Sequence, residues 1–260
     1  MNIFLMTDVE GIAGVDSIDQ MNRATPQYEN TRKLLCNSIN KAASACFEAG
    51  ADKVYYLDGH AGGGNVFEEL IDQRAQKCSL QEWVELLRNG KIDVQIELGA
   101  HSRAGTVGGF LDHTISSKTI FSIKVNGIEM SEYSLHAALC GKFKVPIIAV
   151  IGDEAACCQA KEYVPKLFTG AVKSAKTRNI ATTHSDADQI LCNTILTAIK
   201  NYKAVPLFEV TEPLTVEQVF YRTDFCESAM ASALVTFERI DARTLKKTVA
   251  TIEKYSDLKF

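Results

Sequence analysis

The stretch TDVEGIAGV, Thr7 to Val15, follows the apolar run Ile3–Met6 and sets two acids, Asp8 and Glu10, two residues apart. Side chains at i and i+2 of an extended segment point to the same side, so both carboxylates face one spot and repel unless a cation sits there. Later strand-like segments end in the same manner. DKVYYLDGH delivers Asp58 and His60, IDVQIELGAHS delivers His101, and VPIIAVIGDE delivers Asp153 and Glu154, while Glu132 stands in the first turn of the helix-like SEYSLHAALCGKF. The chain has five histidines and two of them stand at strand ends, each close behind a glycine, a placement that packing alone does not explain.

Three carboxylates and two imidazoles on one rim make a mixed oxygen and nitrogen donor set that suits zinc or a neighbouring first-row divalent ion. Left uncompensated in a crevice, Asp8, Glu10 and Glu132 would each cost on the order of several kcal/mol. Two divalent cations balance them, with Asp8 bridging, Glu10 and His60 on one ion, and His101 and Glu132 on the other. Such a pair, about 3.5–4 Å apart, polarises a carbonyl and lowers the pKa of water toward neutrality, which is the chemistry of amide hydrolysis. His113, in GGFLDHTIS, stands apart from this set on a glycine-containing loop. Imidazole ordinarily titrates near neutrality, so His113 is a candidate base or nucleophile.

Around this set, Asp58 is expected to orient a ligand histidine as an acceptor, and Asp153 either does likewise or caps a helix. Arg103 and Lys173 are candidates for holding a substrate carboxylate. His136, four residues after Glu132, shares its helical face and reads as a packing or supporting histidine. His184, ahead of a helix, reads as a cap or surface residue.

These residues must be positioned by an alternation of apolar, β-rich runs with helical stretches, the signature of an α/β fold with an open, mostly parallel sheet and helices on both faces. Ligands in such sheets bind outside the carboxyl ends of the strands. YENTRKLLCNSINKAASACFEAG is helical by its apolar spacing and ends at Gly50, and SLQEWVELLRNG carries a capping box from Ser79 to Glu82. TIFSIKVNG reads as a strand with an Asn126-Gly127 turn. After about residue 176 the pattern is expected to become a smaller C-terminal α+β elaboration: the helix DADQILCNTILTAIKNY, a strand-rich segment, the run ESAMASALVTF, and a charged terminal helix. One domain spanning 1–260 is expected.

At 260 residues the chain can bury a sizeable core, and its 28 Lys+Arg against 32 Asp+Glu give neither a basic nucleic-acid footprint nor an acidic tail. No run approaches bilayer-spanning length, and the start MNIFLMTD lacks the features of a secretory leader. A cytoplasmic protein with no nucleic-acid or membrane partner is expected. The eight cysteines include no C-x-x-C pair and read as reduced packing residues.

TDVEGIAGV, DGHAGGGN, GAHSRAGTVGGFLDHT, NGIEMSEYSLHAAL and VPIIAVIGDE, in this order, resemble the D-aminopeptidase family of zinc peptidases. The resemblance runs from Met1 to about Lys176 and continues faintly near FERIDARTL. It implies five metal ligands at Asp8, Glu10, His60, His101 and Glu132, two zinc ions per chain sharing Asp8, and a catalytic nucleophile at His113. It also implies a homo-oligomer of ten subunits in two stacked five-membered rings. Substrates would be small peptides or amino-acid amides with an N-terminal D-residue. The chain departs from the family at Thr7, Leu57, Gly59 and Ala100, which leaves the ligands intact and alters the pocket wall.

Two other readings compete. Two-metal phosphoesterases also place Asp and His at strand ends, but this chain has Asp-x-Glu where Asp-x-His is expected. A non-catalytic metal-binding α/β protein is the second, and a retained His113 argues against it. GHAGGGN lacks the Lys-Ser/Thr ending of a phosphate-binding loop.

Overall fold

The computed structural model describes residues 1–232 and 235–260 and assembles the apolar runs into two sheets. In chain order the first half carries β1 (Asn2–Thr7), α1 (Gln27–Glu48), β2 (Lys53–Asp58), β3 (Ala75–Lys77), α2 (Leu80–Arg88), β4 (Val94–Ala100), β5 (Ile120–Val125) and β6 (Ile128–Glu129). There follow α3 (Glu132–Lys142), β7 (Ile147–Asp153), α4 (Glu154–Tyr163), β8 (Phe168–Thr177), β9 (Ile180–Thr183), α5 (Ala187–Lys200), β10 (Leu214–Phe220), α6 (Thr223–Ser232), β11 (Glu238–Asp241) and β12 (Thr244–Val249).

The larger sheet has the order β3-β2-β1-β4-β7-β8-β9 and is parallel except for β9, which runs antiparallel to β8. The fold is α/β with a mostly parallel sheet flanked by helices. Strands buried on both faces need unbroken apolar sequence, and Ile3, Phe4 and Leu5 of β1 are fully buried, each contributing roughly 1.5–3 kcal/mol. From β1 the chain crosses outward to β2 through α1, whereas β3 returns to β4 and β7 continues to β8 in the opposite direction. Right-handed crossovers then put α1 on one face and α2, α3 and α4 on the other. Accordingly, α1 packs against α5 and α3 against α4, and Trp83 of α2 meets His136 of α3 edge-on with ring centroids 5.5 Å apart. The strand order reverses between β1 and β4, so the loops leaving these strands diverge and open a crevice there.

The smaller sheet, β11-β12-β10-β5-β6, is antiparallel throughout. TIFSIKVNG therefore joins this sheet and not the parallel one, and β9 with α5 returns to the larger sheet. The sheets are interleaved along the chain, and residue 176, where a division was expected, lies inside β8. The charged terminal helix is not formed. Thr244–Val249 is a strand whose β-branched threonines and valine pair with β10, burying Leu245 and Lys247. Beyond it Tyr255–Leu258 makes only a single 3-10 turn. ESAMASALVTF begins inside α6, and its Ala233 and Leu234 lie outside the described residues. Among the described residues no helix is long and apolar enough to cross a membrane.

Candidate metal centre

Asp8 leaves β1 at the reversal of strand order, and β4 delivers His101 on its other side. The two strand ends touch through backbone. Asp8 N donates to Leu98 O and Gly11 N to Gly99 O, both at 2.8 Å. Gly99 has φ +83°, and a Cβ there would stand 2.1 Å from Asp8 O. Only glycine allows this approach, and with it Asp8 and His101 are neighbours.

Six side chains converge on the crevice as two groups, Asp8 with Glu10 and His60, and His101 with His113 and Glu132. Asp8 joins them. Its Oδ1 lies 3.0 Å from His60 Nδ1 and its Oδ2 3.3 Å from His101 Nε2. Glu10 Oε2 is 2.9 Å from His60 Nδ1, and Glu132 Oε1 is 3.4 Å from His101 Nε2. His113, expected to stand apart, sits beside Glu132 Oε1 at 3.7 Å and Glu10 Oε1 at 4.0 Å through Nε2. The latter contact closes the ring.

Backbone carbonyls set the tautomers. His101 Nδ1 donates to Ser102 O at 3.0 Å and His113 Nδ1 to Leu111 O at 2.8 Å, so in the neutral imidazoles both Nε2 lone pairs face carboxylate oxygens. His101 Nε2 is buried without a hydrogen-bond partner, and the buried Glu10 Oε2 has only the His60 imidazole beside it. Lone pairs aimed at carboxylates are repulsive unless a proton or a cation intervenes. In the metal-free protein protons do so. Burial opposes the charge on His60, yet the Glu10 and Asp8 carboxylates push its pKa up to about 11. His101 rises well above its ordinary value against burial, through Glu132 and Asp8. Burial tends to raise Asp8 and Glu132, but the histidines hold Asp8 well below the usual carboxylate range and Glu132 near about 2. This donor set fits divalent zinc.

Asp58, Arg103 and Lys173 differ from expectation, while Asp153 takes the helix-capping alternative. Asp58 does not bond to a ligand imidazole: its carboxylate accepts from Asn65 N and Asn65 Nδ2, both at 2.7 Å, and Asn65 Nδ2 also donates to His60 O at 2.7 Å. Asp58 therefore sets the backbone of the His60 turn. Asp153 caps α4 through Ala156 N at 2.5 Å and accepts from Phe110 N at 2.9 Å, so it anchors the loop that bears His113. Arg103 is outside the cavity, 3.6 Å from both Glu129 and Glu162. Lys173 is wholly buried and cannot reach a substrate. Its ammonium donates to Glu10 O at 2.8 Å and to Val15 O, holding the loop after β1, while burial lowers its pKa to about 7.

Sequence patterns did not single out Asn65, Asp112 or Glu97. Asp112 Oδ1 meets Arg178 Nε at 2.9 Å and its Oδ2 accepts from Gly105 N at 2.6 Å, fixing the residue next to His113. Its adjacency to that histidine was the available signal. Glu97 Oε2 bonds His136 Nδ1 at 3.1 Å under the site. His184 is remote, bonded to Ser174 Oγ at 2.9 Å. The six converging residues lie in the wall of a cavity of about 940 Å³, roomy for a small ligand.

A model of the D-aminopeptidase family matches residues 1–258. The D-aminopeptidase of Bacillus subtilis (strain 168) is 27% identical over 185 residues, a match spanning 69% of this chain and 66% of that protein, just under two thirds of its length. Among solved structures, the zinc-dependent D-aminopeptidase DppA from Bacillus subtilis, a self-compartmentalizing protease, superposes with a TM-score of 0.91 over 99% of this chain and 95% of its own. At 22% identity that likeness is one of fold.

Proposed function

This chain belongs to the D-aminopeptidase family, and from that membership we propose that it is a zinc-dependent aminopeptidase removing the N-terminal residue, a D-amino acid, from short peptides or amino-acid amides. The observation that carries the reading is the convergence of three carboxylates, Asp8, Glu10 and Glu132, with the imidazoles of His60 and His101, whose Nε2 is buried and unpartnered among oxygens that a divalent cation would balance. Glu10 and His60 would hold one zinc, His101 and Glu132 a second, and Asp8 both.

When bound, the metal pair supplies Lewis-acid chemistry that polarises a carbonyl and acidifies water. The protein's own part is positional. His113, its Nδ1 proton tied to Leu111 O, keeps Nε2 available to attack the scissile carbonyl or to take a proton from water. Asp112 and Asp153 fix its loop from either side.

The phosphoesterase reading has no separate observation in its favour. In the quaternary reading the chain forms a homo-oligomer, specifically ten subunits in two five-membered rings. Support comes from the self-compartmentalizing relative and from apolar side chains left exposed, Phe121 against Tyr221 and a 99% exposed Val107. Eight free cysteines fit a cytoplasmic location.

The test is elemental analysis of purified protein followed by hydrolysis of D-Ala-Gly and L-Ala-Gly. Two zinc ions per chain and turnover of the D-substrate are expected. No bound metal after reconstitution with excess zinc rejects the reading. Light scattering giving ten times the 28.6 kDa chain mass tests the assembly.

A further inference from the structure

The same cavity wall carries side chains that the metal centre does not use. Glu97 of β4, His136 of α3, and Tyr255 and Lys259 from the segment after β12 all line it. His136 is anchored from behind, because Nδ1 is held by Glu97 Oε2 at 3.1 Å. Glu97 in turn accepts from Gln95 Nε2 at 2.8 Å, and Gln95 Oε1 accepts from Trp83 Nε1 at 2.8 Å. The Tyr255 ring packs on His136 with centroids 5.1 Å apart, and its buried hydroxyl has no hydrogen-bond partner. Lys259 Nζ stands 5.3 Å from the centre of the Tyr255 ring.

Most cations of this region are paired, and Lys118, which also lines the cavity without a partner among the described residues, is exposed, whereas Lys259 is not. The buried Lys173 and Lys247 donate to backbone carbonyls. On the cavity wall, Lys77 pairs with Glu68 at 2.5 Å, Arg178 with Asp112 at 2.9 Å, and Arg23 bonds Asn65 Oδ1 at 2.6 Å. Among the described residues Lys259 has no hydrogen-bonded or ion-paired partner, although it is half-buried and burial already disfavours its charge. A desolvated cation without a counter-charge is costly, so an anion that enters with the substrate is the missing partner.

We propose that Lys259, supported by Tyr255 and the Glu97-anchored His136, binds the free α-carboxylate of the peptide substrate, so that dipeptides with a free C terminus are the preferred substrates over amides and longer chains. The proposal rests on the aminopeptidase reading of the metal centre. Its length argument is geometric. One residue of extended chain spans at most about 3.3–3.6 Å, so the group that reads a dipeptide's carboxylate must stand close to the metal ligands. Lys259 lines the same cavity as Asp8, His101 and Glu132, and its ammonium lies against the ring of Tyr255, which packs on His136, one helical turn after Glu132 in α3. The other elements supply the shape: the Tyr255 ring faces the ammonium and packs on His136, and both line the cavity.

The experiment is steady-state kinetics of the zinc-loaded enzyme on D-Ala-Gly and on D-Ala-glycinamide, which lacks the carboxylate. Wild-type enzyme should show the lower KM for the free acid. In Lys259→Met, KM for D-Ala-Gly should rise about tenfold or more, as expected for loss of a charge-assisted hydrogen bond, with kcat and the kinetics on the amide little changed. Lys259→Arg should recover most of the loss, and unchanged amide turnover shows that the variants fold. An equal change on both substrates, or an unchanged KM for D-Ala-Gly, overturns the subsite and leaves the aminopeptidase reading standing. Wild-type enzyme that cleaves neither compound overturns both.

Discussion

The imidazoles of His101 and His113 stack with ring centroids 4.0 Å apart and planes 6° from parallel. Each donates Nδ1–H to a backbone carbonyl, Ser102 O for one and Leu111 O for the other. Two parallel rings with the same tautomer present two Nε2 atoms to one group of carboxylates. The roles separate by access: the side chain of His101 is 2% exposed, beneath the site, while that of His113 is 12% exposed and faces the cavity. In the proposed function the lower ring is the metal ligand and the upper ring the reacting group.

Replacing the upper ring tests that division. His113→Ala should retain both zinc ions and lose about 10²- to 10⁴-fold in kcat, the range of a general acid-base group. His101→Ala should lose metal. A His113→Ala enzyme within tenfold of wild-type kcat would remove His113 from the chemistry.

Asp8 offers one oxygen toward each group, at 3.0 Å from His60 and 3.3 Å from His101. Asp8→Ala should therefore bind fewer than one zinc per chain, while His60→Ala should keep about one, since a bridging ligand serves two ions. Equal stoichiometry in the two variants contradicts the bridge.

Protons and metal compete for the same atoms, and the sign follows from the shifts. His60 rises to about 11 from an ordinary value of about 6.5. Its stabilisation of the metal-free protein is complete below about pH 6.5 and is lost as pH rises through about 11. Glu132, depressed to about 2, stabilises above about 4.3 and loses that contribution as pH falls through about 2. Zinc must displace the His60 proton, so the rise in Tm on adding zinc should be larger at about pH 8.5 than at about pH 6. Calorimetric scans at both pH values measure it, and a pH-independent gain contradicts the competition.

Gly99 has no side chain to offer a metal, yet a Cβ there would meet Asp8 O at 2.1 Å, and its φ of +83° disfavours any L-residue. Gly99→Ala should separate β1 from β4, lowering both thermal stability and zinc affinity. Wild-type affinity in a folded Gly99→Ala protein, measured by competition with a chelator, would show that the approach of these strands is not what seats Asp8.

Lys173→Met keeps most of the side-chain volume while removing the donor to the Glu10 and Val15 carbonyls. Stability should fall by about 1–3 kcal/mol for each buried carbonyl left unsatisfied. Zinc affinity should fall about 10- to 100-fold, as for loss of an outer-sphere support. KM measured at saturating zinc should hold, and a higher KM with intact zinc affinity would return Lys173 to the substrate.

Local pattern was enough to reveal Asp8, Glu10, His60, His101 and Glu132 as a set, because strand ends and a helix start expose side chains by rules that depend on a few neighbouring residues. The α/β alternation was legible for the same reason: fully buried strands require continuous apolar runs such as Ile3–Met6 and Ile147–Ile151. Local pattern could not say which strands pair. Thr244–Val249 carries two adjacent lysines and falls in the charged segment expected to be helical, and its partners in β10 lie about thirty residues away, so only assembly of the second sheet decides it.

The same limit applied to the supporting residues. Lys173 and Asp58 carry charges that suggested substrate or ligand contacts, and for Asp153 the pattern left ligand support and helix capping both open. Their partners are the carbonyls of Glu10 and Val15, the side chain and backbone of Asn65, and the amides of Phe110 and Ala156. A backbone group looks alike at every position of a sequence and acquires a role only where the chain brings it. Composition and spacing thus determined which atoms can hold a metal. The tertiary structure decided which atoms hold those ligands in place, because such contacts join residues up to 163 positions apart through strand order and loop geometry.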